Sequence, residues 1–288
     1  MAATPRPAAT VIVAVEGEDD SYQILFVKRH KKARFMPSAH VFPGGVIEKS
    51  DRDARWRKRI TSKGTGEITD DEMFRIGAIR ELFEESNILF VKSNKPIDCG
   101  SETIQEWRKK IQKDSTLFFQ MSEELDFVLD THALKDWARW ITPEMEKYRY
   151  DTYFYFGVLT KEQASGAAHC QQETVAMEWL SPEQALDRFK NKKMYLAPPT
   201  WINVLQLSVH GGLSKLVAFL NEDDPLRMVA IKPEGREHPE GTGFGLLLAG
   251  DKDLPESKGS NVEHRAFVDV QNRDIEYRWK GKVFHSKL

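Results

Sequence analysis

Glu81, Glu84 and Glu85 stand within five positions of a segment whose apolar residues recur with a helical period. Met73, Ile76, Ile79 and Leu82/Phe83 fall three and four residues apart, which gives a helix one apolar face. Asp70 and Asp71 precede them and are expected to cap this helix, because a carboxylate accepts hydrogen bonds from the free amides of a first turn. Asn87 tolerates left-handed backbone and is expected to end it. The spacing therefore predicts a helix from about Glu72 to Ser86. On that helix the three glutamates share a side, and carboxylates packed together repel. A hard divalent cation, Mg²⁺ or Mn²⁺, removes that cost and can also hold phosphate oxygens. Arg80, four residues before Glu84, can hold that carboxylate in place. A solvated acidic helix face has the same spacing, so context must decide between the two.

The surroundings of this helix read as strands. Ala9–Glu16 and Gln23–Lys28 are short, apolar and rich in β-branched residues, joined by the polar turn Gly17–Ser21. A basic stretch containing Arg29 and Arg34 follows, then His40-Val41-Phe42 running into the sharp turn Pro43-Gly44-Gly45. The charged run Glu48–Thr69 looks like an inserted surface segment. Ile88–Val91, Ala138–Ile141, Thr152–Leu159 and Met177–Leu180 read as strands. Ser101–Asp114, Glu123–Asp130 and Thr200–Gly211 read as helices, and Ser181-Pro182-Glu183 opens another, since Pro suits a first helical position. Leu226–Lys232, Gly243–Leu248, Phe267–Val270 and Ile275–Trp279 form a β-rich tail. Strands, a capped helix, strands and a further helix suggest a mixed sheet between helices, an α/β class.

Several function classes are excluded. The 288 residues carry a formal net charge of −2, so a polyanionic ligand must be bound by a local patch rather than by the whole surface. No membrane span is expected, because no run approaches the roughly 20 apolar residues that cross a bilayer. Cys99 and Cys170 form no zinc or CxxC spacing, which fits a reducing compartment. The ending Ser286-Lys287-Leu288 is the tripeptide read by a peroxisomal import receptor. Peroxisomal localisation and that receptor as a partner are therefore expected.

The run Arg80-Glu81-Leu82-Phe83-Glu84-Glu85-Ser86-Asn87-Ile88 resembles the second half of the Nudix box. Glu72, eight residues before Arg80, and Gly45, preceded by Phe42-Pro43-Gly44, match its earlier positions. Two departures stand out: 26 residues separate Gly45 from Glu72, an insertion of about 21 (roughly residues 49–71), and Asn87 replaces the closing glycine. Added loop length costs little closure entropy, and neither departure removes a carboxylate. Arg29, Arg34, Ser38 and Phe42-Pro43-Gly44-Gly45 are similar in spacing to a signature of Nudix coenzyme A diphosphatases, with Ser38 in place of a glycine. The long insertion, Trp140–Pro143, Arg149–Thr152 and the Ser-Lys-Leu ending resemble the peroxisomal acyl-coenzyme A diphosphatase branch.

This resemblance implies a Nudix α/β/α sandwich with a mixed sheet over residues 9–205, with residues 206–288 as an extension packed on the core. It implies Glu81, Glu84 and Glu85 as ligands of Mg²⁺ or Mn²⁺, and Glu81, Glu84 and Arg80 as catalytic residues. Glu173, in a late loop, and Glu81 both remain open as the general base. Arg29, Arg34, Gly44 and Gly45 are the expected substrate contacts. The implied reaction splits the diphosphate of coenzyme A or acyl-coenzyme A into 3′,5′-ADP and (acyl-)4′-phosphopantetheine. Another nucleoside diphosphate derivative such as NADH, ADP-ribose or capped RNA keeps the same acidic box. A nucleic-acid substrate is not expected, given the modest charge. A Nudix-fold binding module without catalysis would usually lose a box carboxylate, and none is lost here.

Overall fold

The computed structural model describes residues 3–33, 35–167, 174–225, 227–237, 243–257, 259–269, 274–279 and 282–285. The chain opens with β1 (Arg6–Glu16), β2 (Tyr22–Arg29), β3 (His40–Val41) and β4 (Gly44–Val46). After two short 3₁₀ turns, Lys49–Arg52 and Ala54–Lys58, come α1 (Asp70–Ser86), β5 (Val91–Ser93), α2 (Glu102–Ile111), α3 (Leu117–Glu124) and β6 (Phe127–Leu129). Next are β7 (Lys135–Ile141), β8 (Tyr150–Leu159), α4 (Lys161–Ser165), β9 (Thr174–Leu180), α5 (Pro182–Lys190), α6 (Pro198–Ser208) and α7 (Leu213–Asn221). The remainder is β-rich: β10 (Ala230–Ile231), β11 (Glu234–Glu237), β12 (Gly243–Leu247), β13 (His264–Asp269), β14 (Asp274–Trp279) and β15 (Lys282–His285).

The central sheet runs β10-β7-β8-β1-β2-β3, with β4 added to β1 and β9 to β2. It is mixed, because β1 with β8 and β10 with β7 are parallel while the other pairs are antiparallel. Side chains alternate across a strand, so β1 feeds two cores. Ala9, Val11 and Val13 meet Ile76, Ile79, Leu82 and Phe83 of α1 on one face. Ile12 and Ala14 meet Phe154, Trp201 and Leu216 on the other. A second antiparallel sheet, β11-β12-β13-β14-β15, packs on that second face through Leu246, Ala266, Ile275 and Tyr277. Helices on both faces of a mixed sheet make the α/β/α sandwich expected from the sequence. Among the described residues no helix is long and apolar enough to cross a membrane.

Several local expectations change. Thr69, rather than Asp70 or Asp71, caps α1, and Glu72 answers it in a capping box. Glu72 is thereby turned away from the box carboxylates. Residues 123–130 do not form one helix. The helix ends at Glu124, Asp126 takes a φ of 50°, and a strand begins at Phe127. The strand expected at Ile88–Val91 begins only at Val91. The helix α7 carried no sequence signal strong enough to separate it from the tail. The inserted segment is also not a mere surface loop: Asp51, Trp56, Ile60 and Ile68 are buried, and its last two positions already belong to α1.

Candidate active site

Arg80 organises the site. It lies on the inner side of α1 and is 2% exposed, so its cation needs partners. Nε and Nη2 donate to the two oxygens of Asp51, both at 2.8 Å, in a bidentate pair. Nη2 also donates to the Val46 carbonyl at 2.9 Å. Nη1 donates to Glu81 at 2.8 Å and Glu84 at 2.7 Å. One guanidinium thus ties the insertion, β4 and two box glutamates together. Burial works against its charge, and Asp51, Glu81 and Glu84 outweigh that burial and raise its pKa. Asp51 reaches α1 because Gly77 leaves room: a Cβ there would lie 2.9 Å from the Asp51 carboxylate.

The carboxylates are divided among tasks. Glu85 is buried and accepts the Gly44 amide at 3.0 Å, which fixes the Pro43-Gly44-Gly45 turn against the helix. Glu81 faces β4, where a Cβ on Gly45 would fall on its carboxylate. Burial pushes the Glu81 carboxyl up to about 7; Arg80 opposes this and the neighbouring Glu84 charge adds to it. The Glu84 carbonyl near the end of α1 is also held, since Arg108 of α2 and Gln112 just after it both donate to it, at 3.0 and 2.8 Å. Asn87 takes the left-handed geometry expected of it, with φ 61°. Its Nδ2 then donates to the carbonyls of Cys99 at 2.6 Å and Gly166 at 2.8 Å. Glu72 belongs to a separate cluster with Arg57, Ser62 and Thr69, in which the Arg57 bridge leads in holding its carboxyl down to about 2.

A cavity of about 490 Å³ opens beside Glu81. Gly44, Gly45, Thr10 and Arg29 line the same end of the sheet. The Arg29 Nε is buried and has no hydrogen-bond partner among the described residues. Arg6, which the sequence reading did not single out, also lines the cavity. Arg34 and Glu173 lie outside the described residues, as does Ser286-Lys287-Leu288. Of the three box glutamates, only Glu81 borders the cavity. Glu81, Glu84 and Glu85 offer hard oxygen donors suited to Mg²⁺ or Mn²⁺, and a buried carboxyl whose pKa is pushed up gains from a nearby cation. The set fits such an ion by donor chemistry. Among the described residues no three groups already converge at liganding distance, because the Arg80 Nη1 stands between Glu81 and Glu84. Cys99 is a free thiol, and burial pushes it up to about 11, which makes it inert.

Sequence reasoning named the glutamates and Arg29 but passed over Asp51. An aspartate in a charged run has no period or motif to mark it, and its partner lies 29 positions away.

The chain is similar to known proteins over most of its length. A family model described as the NUDT19 Nudix domain matches residues 3–67 and 60–207. The chain is 30% identical over 312 positions to a Gallus gallus protein named acyl-coenzyme A diphosphatase NUDT19, covering 92% of this chain and 81% of the relative. Identity to the Homo sapiens protein of the same name is 28%, covering 92% of this chain and 80% of the relative. Among solved structures, a NUDIX hydrolase from Alicyclobacillus acidocaldarius matches with a TM-score of 0.63 at 23% identity, over 77% of this chain and 99% of that one.

Proposed function

The chain belongs to the Nudix hydrolases, in the NUDT19 branch, and from that premise we propose that it hydrolyses the diphosphate of coenzyme A and acyl-coenzyme A. The products are 3′,5′-ADP and (acyl-)4′-phosphopantetheine. One observation carries the reading: the cavity bordered by Glu81 also holds Arg29, whose buried Nε has no partner among the described residues. A guanidinium in that state suits phosphate oxygens, which accept its planar array of donors. The Gallus gallus and Homo sapiens relatives are named for the acyl-coenzyme A substrate.

The residues divide the work. Arg29 binds and orients the diphosphate, joined by Arg34. Gly45 keeps the backbone low, so the substrate can approach Glu81 without meeting a side chain. Arg80 holds Glu81 and Glu84 in place and is itself held by Asp51. Glu81, Glu84 and Glu85 would hold Mg²⁺ or Mn²⁺, which when bound offsets the charge developing on the diphosphate and acidifies the attacking water. Glu81 is the box carboxylate that reaches the cavity and so takes the water proton; Glu173, from a late loop, is the alternative base. Import into peroxisomes through Ser286-Lys287-Leu288 is a separate proposal, tested by the location of a fluorescent fusion with and without the tripeptide.

The test incubates purified protein with free coenzyme A, acyl-coenzyme A, NADH and ADP-ribose, each with Mg²⁺ or Mn²⁺, and separates the products. Release of 3′,5′-ADP, lost in Glu84→Gln, is the expected result. Cleavage of NADH or ADP-ribose with coenzyme A untouched overturns the substrate assignment and keeps the chemistry. Glu173→Gln at saturating metal then decides between the two bases: an unchanged kcat leaves Glu81, and a large loss with unchanged metal dependence assigns Glu173.

A further inference from the structure

The cavity beside Glu81 has a direction, which the strand registers supply. Val46 of β4 pairs with Ala8 of β1, Ala8 with Thr152 of β8, Thr152 with Trp140 of β7, and Trp140 with Ile231 of β10. The row crosses the sheet on one face. Strands lie about 4.8 Å apart, so from β4 to β7 is roughly 14 Å. Its first end lies at β4, where Gly44 and Gly45 carry no side chain and Glu81 borders the cavity from the face that carries α1. Its other end has Ile141, Met145, Pro198, Pro233, Phe244 and Leu246 as apolar walls, with Thr142, Glu146 and Thr200 among them.

Three of those walls lie outside the part of the chain that the family model matches, which ends at residue 207. Pro233 follows β10, and Phe244 and Leu246 belong to β12 of the second sheet. The loop carrying Met145 leans on that sheet, since a Cβ on Gly235 of β11 would fall on the Met145 sulfur. Leu246 is buried in the core beneath. The second sheet therefore closes the far end of a cavity whose near end holds the reacting groups.

We infer that this far end receives the acyl chain of the substrate, so that Phe244 and Met145 set the chain-length preference. The inference rests on the coenzyme A reading above. An extended pantetheine arm spans on the order of 15 Å at standard bond lengths, close to the width of sheet between β4 and β7. With the diphosphate at Glu81 and Arg29, the sulfur arrives near Ile141 and Phe244. A fatty chain is the part of such a substrate that gains by leaving water, at about 0.8 kcal/mol per buried methylene. Phe244 and Pro198 also border a second cavity of about 470 Å³, whose walls include Lys28, His40 and Lys193. The Phe244 ring is thus a partition, and its removal lengthens the space.

The test measures kcat/KM of the full chain for free coenzyme A and a series from acetyl- to palmitoyl-coenzyme A, in wild type, Phe244→Ala and Met145→Trp. Phe244→Ala should raise the ratio of palmitoyl to acetyl turnover about tenfold. Met145→Trp, at a position 60% exposed and so tolerant of a larger ring, should lower that ratio and covers the case in which Phe244→Ala fails to fold. An unchanged chain-length profile in the folded variants overturns the inference. An equal loss on free coenzyme A and every acyl-coenzyme A also overturns it, because it places the adenosine at this end. No turnover of any of these by wild type overturns the coenzyme A reading itself.

Discussion

At the scale of single residues, Asp51 and Glu72 show how one insertion serves two different ion pairs. The Asp51–Arg80 pair is sealed from solvent, with both side chains 2% exposed. Leaving a buried charge wholly uncompensated costs about 3–5 kcal/mol; removing Asp51 should cost part of that, because Glu81 and Glu84 still face Arg80. Asp51→Ala should therefore lower the urea midpoint. Asp51→Asn, which keeps the shape and loses the charge, should cost less stability yet still lower kcat, because Glu81 and Glu84 then share a less firmly held Arg80. Equal kcat in Asp51→Asn and wild type would remove Asp51 from the account of the site. Glu72 is also buried, but its partner Arg57 is 16% exposed. Its folded-state pKa of about 2 lies below the ordinary value of 4.5, so its contribution is complete above pH 4.5 and is lost as the pH falls from there toward 2. The loss should be on the order of 2 kcal/mol after allowance for solvent screening. Denaturation midpoints between pH 6 and pH 2.5 in wild type and Glu72→Gln check this: the acid limb should flatten in the variant.

Elements tell a second story, in which the helix α1 is positioned by its ends. Thr69 and Glu72 satisfy the first turn, and Arg108 and Gln112 hold the Glu84 carbonyl near the last. Thr69→Ala should cost about 1 kcal/mol in thermal or urea unfolding. It should leave KM for the diphosphate substrate untouched, since the cap lies a whole helix away from Glu84. A KM change would mean that the amino-terminal turn is coupled to the cavity. The sequence exposed the strongly periodic elements: the strands β1 and β8 and the face of α1 with its glutamates. It concealed what depends on distant contacts. The register of β4 on β1, the burial of Asp51 and the break at Asp126 follow from tertiary packing and leave no local period. The Glu123–Asp130 stretch was misleading because its apolar residues serve a helix end and then a strand, with no glycine or proline between them.

The whole molecule is held together by sharing one core between two sheets. Phe26, Phe156 and Trp201 of the sandwich lie in the same cluster as Leu246, Ile275 and Tyr277 of the second sheet. Deleting residues 222–288 would uncover that apolar face, and exposed patches of this kind associate. The shortened chain should elute as aggregates and bind a hydrophobic dye strongly, while the full chain elutes as a compact species. A soluble, dye-negative truncation would show that the two sheets are separable units. The walls of the cavity also come from opposite ends of the chain order, with Arg6 and Ala8 among the first described residues and Phe244 and Leu246 far downstream. During synthesis the acidic helix, the turn at Gly44 and the strands around them emerge early, but the chamber they serve has no far wall until β12 has left the ribosome. A nascent chain would thus carry its reactive groups before it owns an enclosed place to use them, and competence would be among the last properties it acquires.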